Sequence, residues 1–198
     1  MQNEIIGIVG RKGSGKSTAL RKLASSAPRL ILWDPLGEHK FCPNPLRTTE
    51  QLKQFFVWTR GRERFAARFI PESDLAEAFN GFAEHVYRRG RLVCGIEEAP
   101  MVSLPNWLPP GFDKLCRLGR HRAISMVWTA QRMGEVARRL TSATDRFLLF
   151  RHTEPVDIDA IGKRCGIEVA EKVSRLGRHE ILVWDALSQQ ILVEAPEE

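Results

Sequence analysis

The sequence predicts an α/β fold, with a mostly parallel central sheet flanked by helices and a β-hairpin at the C-terminal end. Three observations carry that reading. Apolar runs of strand length alternate along the chain with stretches whose apolar residues recur at helical spacing, the pattern of βαβ units. The first run, Ile5-Ile6-Gly7-Ile8-Val9, passes through the turn Gly10-Arg11-Lys12-Gly13-Ser14-Gly15-Lys16-Ser17-Thr18 into Ala19-Leu20-Arg21-Lys22-Leu23, giving strand, turn and helix in succession. The last two runs, Glu180-Ile181-Leu182-Val183-Trp184 and Gln190-Ile191-Leu192-Val193-Glu194, are joined by 185–189 and read as a closing hairpin.

Between these ends the elements follow in order. Pro28 and Arg29-Leu30-Ile31-Leu32-Trp33 predict a second buried strand that stops at Asp34-Pro35-Leu36-Gly37-Glu38-His39. Pro43 and Pro45 make 41–47 an irregular connector, and Thr48-Thr49-Glu50-Gln51 opens a helix with Leu52, Phe55 and Phe56 on one face. A turn at 60–64 leads to a strand at 65–70, which Pro71 closes. Residues 73–89 carry Leu75, Ala76, Phe79, Phe82, Ala83 and Val86 at the spacing of an amphipathic helix packed on the sheet. Arg91-Leu92-Val93-Cys94-Gly95-Ile96 is an apolar strand that ends in Glu97-Glu98, and the proline-rich stretch 99–111 is a long irregular loop on the same edge. A helix at 112–119, a strand at 123–128 followed by Thr129-Ala130-Gln131, a helix at 133–140, a strand at 146–151 and a helix at 154–165 complete the series. The sequence contains no internal repeat, and 196–198 is a short polar tail.

At 198 residues, with 43% hydrophobic and 27% charged, the chain is expected to form a single domain over 1–198. No run of about 18 apolar residues is present to span a bilayer. The N-terminus enters a strand without a charged leader or apolar signal core, so the expected location is cytoplasmic. Cys42, Cys94, Cys116 and Cys165 are scattered and form no C-x-x-C pair, which argues against a zinc site or a disulfide framework. The net charge is +6, and Arg outnumbers Lys in short clusters: 60, 62 and 64; 88, 89 and 91; 117, 120 and 122; 138 and 139. Guanidinium groups suit phosphate binding and contacts between subunits, while a solvated basic face is the plainer explanation of any one cluster.

The spacing G-x-x-x-x-G-K-[ST] between a strand and a helix is the P-loop in its required context. Its glycines let backbone N–H groups curl around a phosphate chain at a helix N-terminus. Gly10, Arg11, Lys12, Gly13, Ser14, Gly15, Lys16, Ser17 and Thr18 are therefore the nucleotide-binding candidates, with Lys16 reaching the β- and γ-phosphates and Ser17 holding Mg²⁺. A P-loop hydrolase needs a carboxylate at a neighbouring strand end to order Mg²⁺, and many have a second to orient water. Glu97 suits the metal and Glu98 the water; two glutamates merely ending a strand are the alternative. Asp34 either faces the nucleotide or caps the turn after its strand, and the Gln131 amide either senses a γ-phosphate or is a turn residue.

The P-loop, the Glu97-Glu98 strand end and Thr129-Ala130-Gln131-Arg132 together resemble the FtsK–HerA superfamily of DNA-translocating ATPases. Two further stretches carry the resemblance: Trp33-Asp34-Pro35-Leu36-Gly37-Glu38, and Gly119-Arg120-His121-Arg122-Ala123-Ile124 running on to Gln131-Arg132. It covers about 5–161. Family members often have Asp-Glu where this chain has Glu-Glu, so here a longer side chain must reach the Mg²⁺ shell. The larger members carry membrane segments, an N-terminal barrel and a DNA-reading end domain. A bare motor of this size is similar to the genome-packaging ATPases of tailless, membrane-containing viruses.

The resemblance implies a RecA-like (ASCE) P-loop NTPase that uses ATP and Mg²⁺ and works as a homo-oligomeric ring, a hexamer, on double-stranded DNA. It implies Lys16, Glu97, Glu98, Arg120 and Gln131 as catalytic residues, Arg120 being a finger that reaches the neighbouring subunit's nucleotide. DNA would be held by its phosphate backbone without sequence preference, with Arg60, Arg62 and Arg64 or the loop 101–110 as candidate contacts. A viral member would dock on a capsid vertex or a membrane-bound portal protein, in the host cytoplasm or at the virion vertex. Two other uses of a P-loop remain open at this point, a small-molecule or nucleotide kinase and an ATP-dependent assembly switch.

Overall fold

A computed structural model of the chain describes residues 3–72 and 74–194. Ser73, the expected start of the third helix, and the tail 196–198 lie outside them. In chain order the elements are β1 (Ile5–Val9), α1 (Lys16–Ser25), β2 (Arg29–Trp33), β3 (Pro45–Leu46), α2 (Thr49–Trp58), β4 (Phe65–Phe69), α3 (Leu75–Arg89) and β5 (Leu92–Ile96). There follow α4 (Pro110–Leu118), β6 (Ile124–Ala130), α5 (Arg138–Ala143), β7 (Arg146–Phe150), α6 (Pro155–Cys165), α7 (Ile167–Arg175), β8 (Ile181–Asp185) and β9 (Gln190–Glu194).

The described strands form one sheet in the order β3-β4-β2-β5-β6-β1-β7-β8-β9. Every pairing from β3 to β7 is parallel, and β8 and β9 add an antiparallel pair beside β7. The expected mostly parallel sheet with a C-terminal hairpin is therefore present. Its central strands read as near-continuous apolar runs because both faces are covered, as parallel sheets require. Ile6, Ile8, Leu30, Leu32, Val127 and Leu148 pack under Ala19, Leu20 and Ala24 of α1. The opposite face carries the larger core, where Ile31, Trp33, Cys94, Ile96, Met126, Trp128 and Phe147 meet residues of the remaining helices. Trp33 anchors that side, with ring centroids of Phe79 at 4.9 Å, Phe82 at 5.4 Å and Phe69 at 5.6 Å.

Strand order places the chemistry. β6 lies between β1 and β5, so the loop after β1, the acids after β5 and the Gln131 end of β6 emerge side by side from one edge. β6 continues through Ala130, beyond the expected stop at 128, because Val9 pairs with Ala130 and the Gly10 N–H donates to the Ala130 carbonyl at 3.1 Å. Close approach of β1 to the Trp128 indole demands Gly7, since a Cβ there would sit 2.3 Å from the ring.

Several boundaries differ from the sequence reading. The helix expected over 133–140 is a 3₁₀ turn at Met133–Glu135, an extended Val136-Ala137 and then α5. Val136 and Ala137 are buried, and the Arg138 N–H is taken by the Pro105 carbonyl at 3.0 Å, so a tertiary contact replaces a helical one. The stretch 99–111 is more ordered than an irregular loop: it forms a 3₁₀ turn at Ala99–Val102, then reciprocal Leu104 and Trp107 backbone bonds of 2.9 and 3.0 Å, and α4 starts at Pro110. β3 is a two-residue edge strand inside the connector expected to be irregular, where Pro45 is tolerated because only one side is paired. α7 was not anticipated. Gly166, at φ 103, ends α6, and Val169, Ala170 and Val173 bury the face of a new helix.

All four cysteines are buried and free, and burial pushes the thiols of Cys42, Cys116 and Cys165 up to about 12, with Cys94 raised as well. Iodoacetamide at neutral pH should therefore leave all four unmodified by mass spectrometry until denaturant is added; rapid labelling of the native protein would contradict the packing. Gly7→Ala should lower unfolding stability in urea by about 1–3 kcal/mol through overpacking against Trp128.

Candidate functional site

The loop after β1 turns on two left-handed glycines, Gly13 at φ 78 and Gly15 at φ 111. A Cβ on Gly10 would fall 2.7 Å from Phe150 of β7, so the floor of the loop is an aromatic ring packed against bare backbone. Lys16 opens α1, and its ammonium donates to the Arg11 carbonyl across the loop at 3.3 Å. Burial holds its pKa below the usual lysine value, partly offset by Glu98 and Glu97. Arg11, Lys12, Gly13, Ser17 and Thr18 are exposed on the rim, whereas the Ser14 hydroxyl is buried without a hydrogen-bond partner.

Glu97 continues from β5, its N–H donating to the Trp33 carbonyl at 3.0 Å, and the residue is 6% exposed. One carboxylate oxygen accepts the Ser17 hydroxyl at 3.3 Å, and the other lies 3.1 Å from Nε2 of His39. That second contact is an ion pair off the axis of a well-aimed hydrogen bond, so both atoms keep unused hydrogen-bonding capacity. Burial alone would raise the Glu97 pKa; His39, Thr129 and Ser17 outweigh it and leave the carboxyl below its ordinary value. His39 shifts the complementary way, lowered by burial but raised more by Glu97, Asp34 and Glu38.

Asp34 explains how a loop residue can be aimed so closely. Fully buried after β2, its two carboxylate oxygens accept the N–H groups of Glu38 and His39, each at 3.0 Å, and its carbonyl accepts that of Gly37 at 3.1 Å. Of the two readings open in the sequence, the structure places Asp34 as the cap of this turn. An exposed-looking His in a Pro/Gly-rich connector gave no sign of its partner, and His39 was missed for that reason.

Glu98 takes a left-handed backbone, φ 49 and ψ 61, unusual for a non-glycine residue, so the adjacent acids leave the strand in different directions. Its N–H donates to Oγ1 of Thr129 at 2.9 Å, and its carboxylate accepts the Gln131 amide at 3.1 Å. Burial raises its pKa, with Glu97 and Glu135 adding to the rise and Gln131 and Lys16 opposing it. Two neighbouring carboxyls thus shift in opposite directions, the arrangement expected when one stays ionised and the other handles protons. The Gln131 carbonyl in turn faces Nε2 of the fully buried His152 at 3.1 Å, whose Nδ1 faces the Phe150 carbonyl at 2.9 Å, a brace between β6 and β7.

Lys16, Ser17, Glu97, Glu98 and Gln131 are therefore brought to one place, and Arg120 is not. It sits in the 3₁₀ turn Gly119–Arg122 before β6, on the edge opposite the loop, half-exposed and paired with Asp145. Ser17 and Glu97 offer two hard oxygens within reach of each other, the chemistry Mg²⁺ prefers when phosphate and water complete its shell. Among the described residues no group of three acidic, His or Cys side chains could hold a metal unaided.

Two substitutions test these supports, one at Glu97 alone and one at the residue the two acids share. His39→Ala should leave the buried carboxylate of Glu97 underheld, lowering unfolding stability in urea by about 1–3 kcal/mol. Thr129→Val should strand the Glu98 N–H and withdraw a hydrogen bond from Glu97 as well, costing about 1–3 kcal/mol in urea unfolding.

No family model matches the chain, and no curated protein matches its sequence. Solved structures do match. The genome packaging NTPase B204 from Sulfolobus turreted icosahedral virus 2, in complex with ATP-gammaS, is similar at a TM-score of 0.84 and 21% identity over 99% of this chain and 98% of that one. B204, the DNA-packaging ATPase from Sulfolobus turreted icosahedral virus, gives 0.76 and 24% over 100% and 99%. The pCW3 conjugation coupling protein TcpA, monomer form with ATPgS, gives 0.60 and 15% over 94% of this chain and 58% of that one. At these identities the likeness is one of fold, that of a P-loop NTPase with a mostly parallel sheet and a C-terminal antiparallel pair.

Proposed function

We propose that residues 1–198 form one Mg²⁺-dependent ATPase domain of the FtsK–HerA type, which assembles head to tail as a ring, a hexamer, and moves double-stranded DNA. The observation that carries this is the pairing of a loop bridged by Lys16 with the split acids Glu97 and Glu98 on one edge, while Arg120 projects from the other. The fold likeness to genome-packaging NTPases supports the same reading.

In this reading Lys16 and the loop N–H groups hold the triphosphate, and Ser17 with Glu97 hold Mg²⁺, which when bound neutralises charge on the β- and γ-phosphate oxygens. Glu98 accepts the proton of the attacking water, its raised pKa suiting that task better than an ordinary carboxylate would. Gln131, hydrogen-bonded to Glu98, couples the state of the phosphate to the acid. A residue acting in trans must lie away from its own loop, and head-to-tail packing sets one face of a subunit against the opposite face of the next. Arg120 meets that condition. Its exposed pair with Asp145 is worth no more than about 1 kcal/mol, so exchange onto a neighbour's phosphate is not opposed strongly.

The deciding experiment is ATPase rate with and without long duplex DNA, measured alongside particle mass. Stimulation by duplex in a ring-sized particle is expected; a monomer whose turnover ignores DNA and responds to one metabolite would make it a kinase. Glu98→Gln should keep nucleotide binding and lose about 10²–10⁴-fold in turnover. Arg120→Ala should lose about 10³-fold or more alone, and recover part of it when mixed with Glu98→Gln subunits that supply the arginine. No recovery in mixed rings would count against a finger in trans.

A further inference from the structure

Charge along the edge opposite the loop is distributed unevenly. Beneath β6, β1, β7 and β8, arginines are neutralised by acids: Arg120 by Asp145, and Arg146 by Glu4 and Asp185. In the other half, among the described residues, Arg60, Arg88 and Arg89 have no such partners. There Lys53 from the middle of α2, Arg60 just after it, and His85, Arg88 and Arg89 from the C-terminal end of α3 surround a cavity of about 310 Å³ lined also by Phe56. Among the described residues Glu50, 3.5 Å from the exposed Lys53, is the one carboxylate paired with any of them.

Arg89 shows that the cavity is built rather than merely decorated. Its guanidinium lies 5.0 Å from the Phe65 ring centroid, Nη2 donates to the Thr59 carbonyl at 3.4 Å, and Nε is buried with no hydrogen-bond partner. Burial, then the charges of Arg29 and Arg60, depresses its pKa; burial, then Arg88 and Lys53, depresses that of His85 against the opposing pull of Glu50 and Glu84. Helix dipoles do not account for so much positive charge. Each C-terminus is equivalent to about −0.5 charge, so two offset roughly one of the four formal positives on Lys53, Arg60, Arg88 and Arg89.

We propose that the α2–α3 groove is a phosphate-binding site for the backbone of duplex DNA, contacted by Lys53, Arg60, Arg88 and Arg89. The proposal rests on the DNA reading of the preceding subsection and locates a contact surface for it. Guanidinium groups match phosphate oxygens in fork geometry. The exposed Arg91 and Arg122 extend the positive strip along the edge, as suits a polyanion with one charge per about 1.7 Å of axis. Cores of protein interfaces are instead depleted of charge. Exposed Val57 and Trp58 on the rim would suit an acidic polypeptide, which is the competing occupant.

The test is fluorescence anisotropy of a labelled 30-base-pair duplex across a salt series, using wild type and the exposed pair Arg60→Ala/Arg88→Ala. The slope of log affinity against log salt should shrink by about 2 in the double variant, and DNA-independent ATPase should be unchanged. Arg60→Lys/Arg88→Lys should recover most of the affinity, which also controls for folding. Poly-glutamate at equal charge should fail to displace the duplex. Equal slopes and affinities for wild type and the Ala pair would overturn the groove while leaving the DNA motor standing. Displacement by poly-glutamate, with poly-glutamate binding lost in the variant, would assign the groove to an acidic polypeptide. A wild type that neither binds duplex nor turns over faster with it would remove the motor reading and this site together.

Discussion

A carboxylate buried beneath a phosphate loop has to be held by something, and the Glu97 side chain is the constraint on which the arrangement of this edge depends. An uncompensated charge there would cost several kcal/mol. Compensation arrives from three separate parts of the chain: Ser17 from α1, His39 from the connector after β2, and Thr129 from β6. None of these is near Glu97 in sequence. They meet because β6 lies between β1 and β5 while β2 flanks β5 on its other side, so that parallel strands release their C-terminal ends along one line.

The same economy separates the two glutamates. The left-handed backbone at Glu98 swings one acid toward Gln131 while its neighbour stays under Ser17 and His39, and Thr129 serves both, accepting the Glu98 N–H and supporting Glu97. A backbone conformation that an L-residue adopts at a cost of about 1 kcal/mol or more is tolerated where it divides one strand end into two environments. The opposite displacements of the two pKa values are the electrostatic signature of that division.

The domain is polar along its strands. One edge collects the loop and the acids, the other Arg120 and the cation-rich α2–α3 groove. This separation follows from the parallel pairing, since a parallel neighbour is reached only through a crossover, and α1, α2, α3, α4 and α5 each lead back to the edge where the next strand begins. The C-terminal ends of those helices therefore arrive opposite the loop, where cations also offset their dipoles.

Much of this was legible in the residues themselves. The βα alternation, the glycine turn with Lys16 and Ser17, the acid-tipped strand and the closing hairpin are local patterns, and local patterns report backbone geometry and strand or helix period directly. The likeness carried by Gly119-Arg120 and Gln131-Arg132 was visible too, as a sequence resemblance. Tertiary structure decided the rest. It broke the helix expected at 133–140 because Pro105 takes the Arg138 N–H, whereas the face of α7, Val169, Ala170 and Val173, recurs at helical spacing in the sequence itself and was simply passed over. It turned Asp34 into a cap, and it made His39 a partner of Glu97. Sequence determines which groups can do chemistry and which segments can be strands or helices; which of those groups meet is settled by strand order, because burial of a charge is compensated in space and not along the chain.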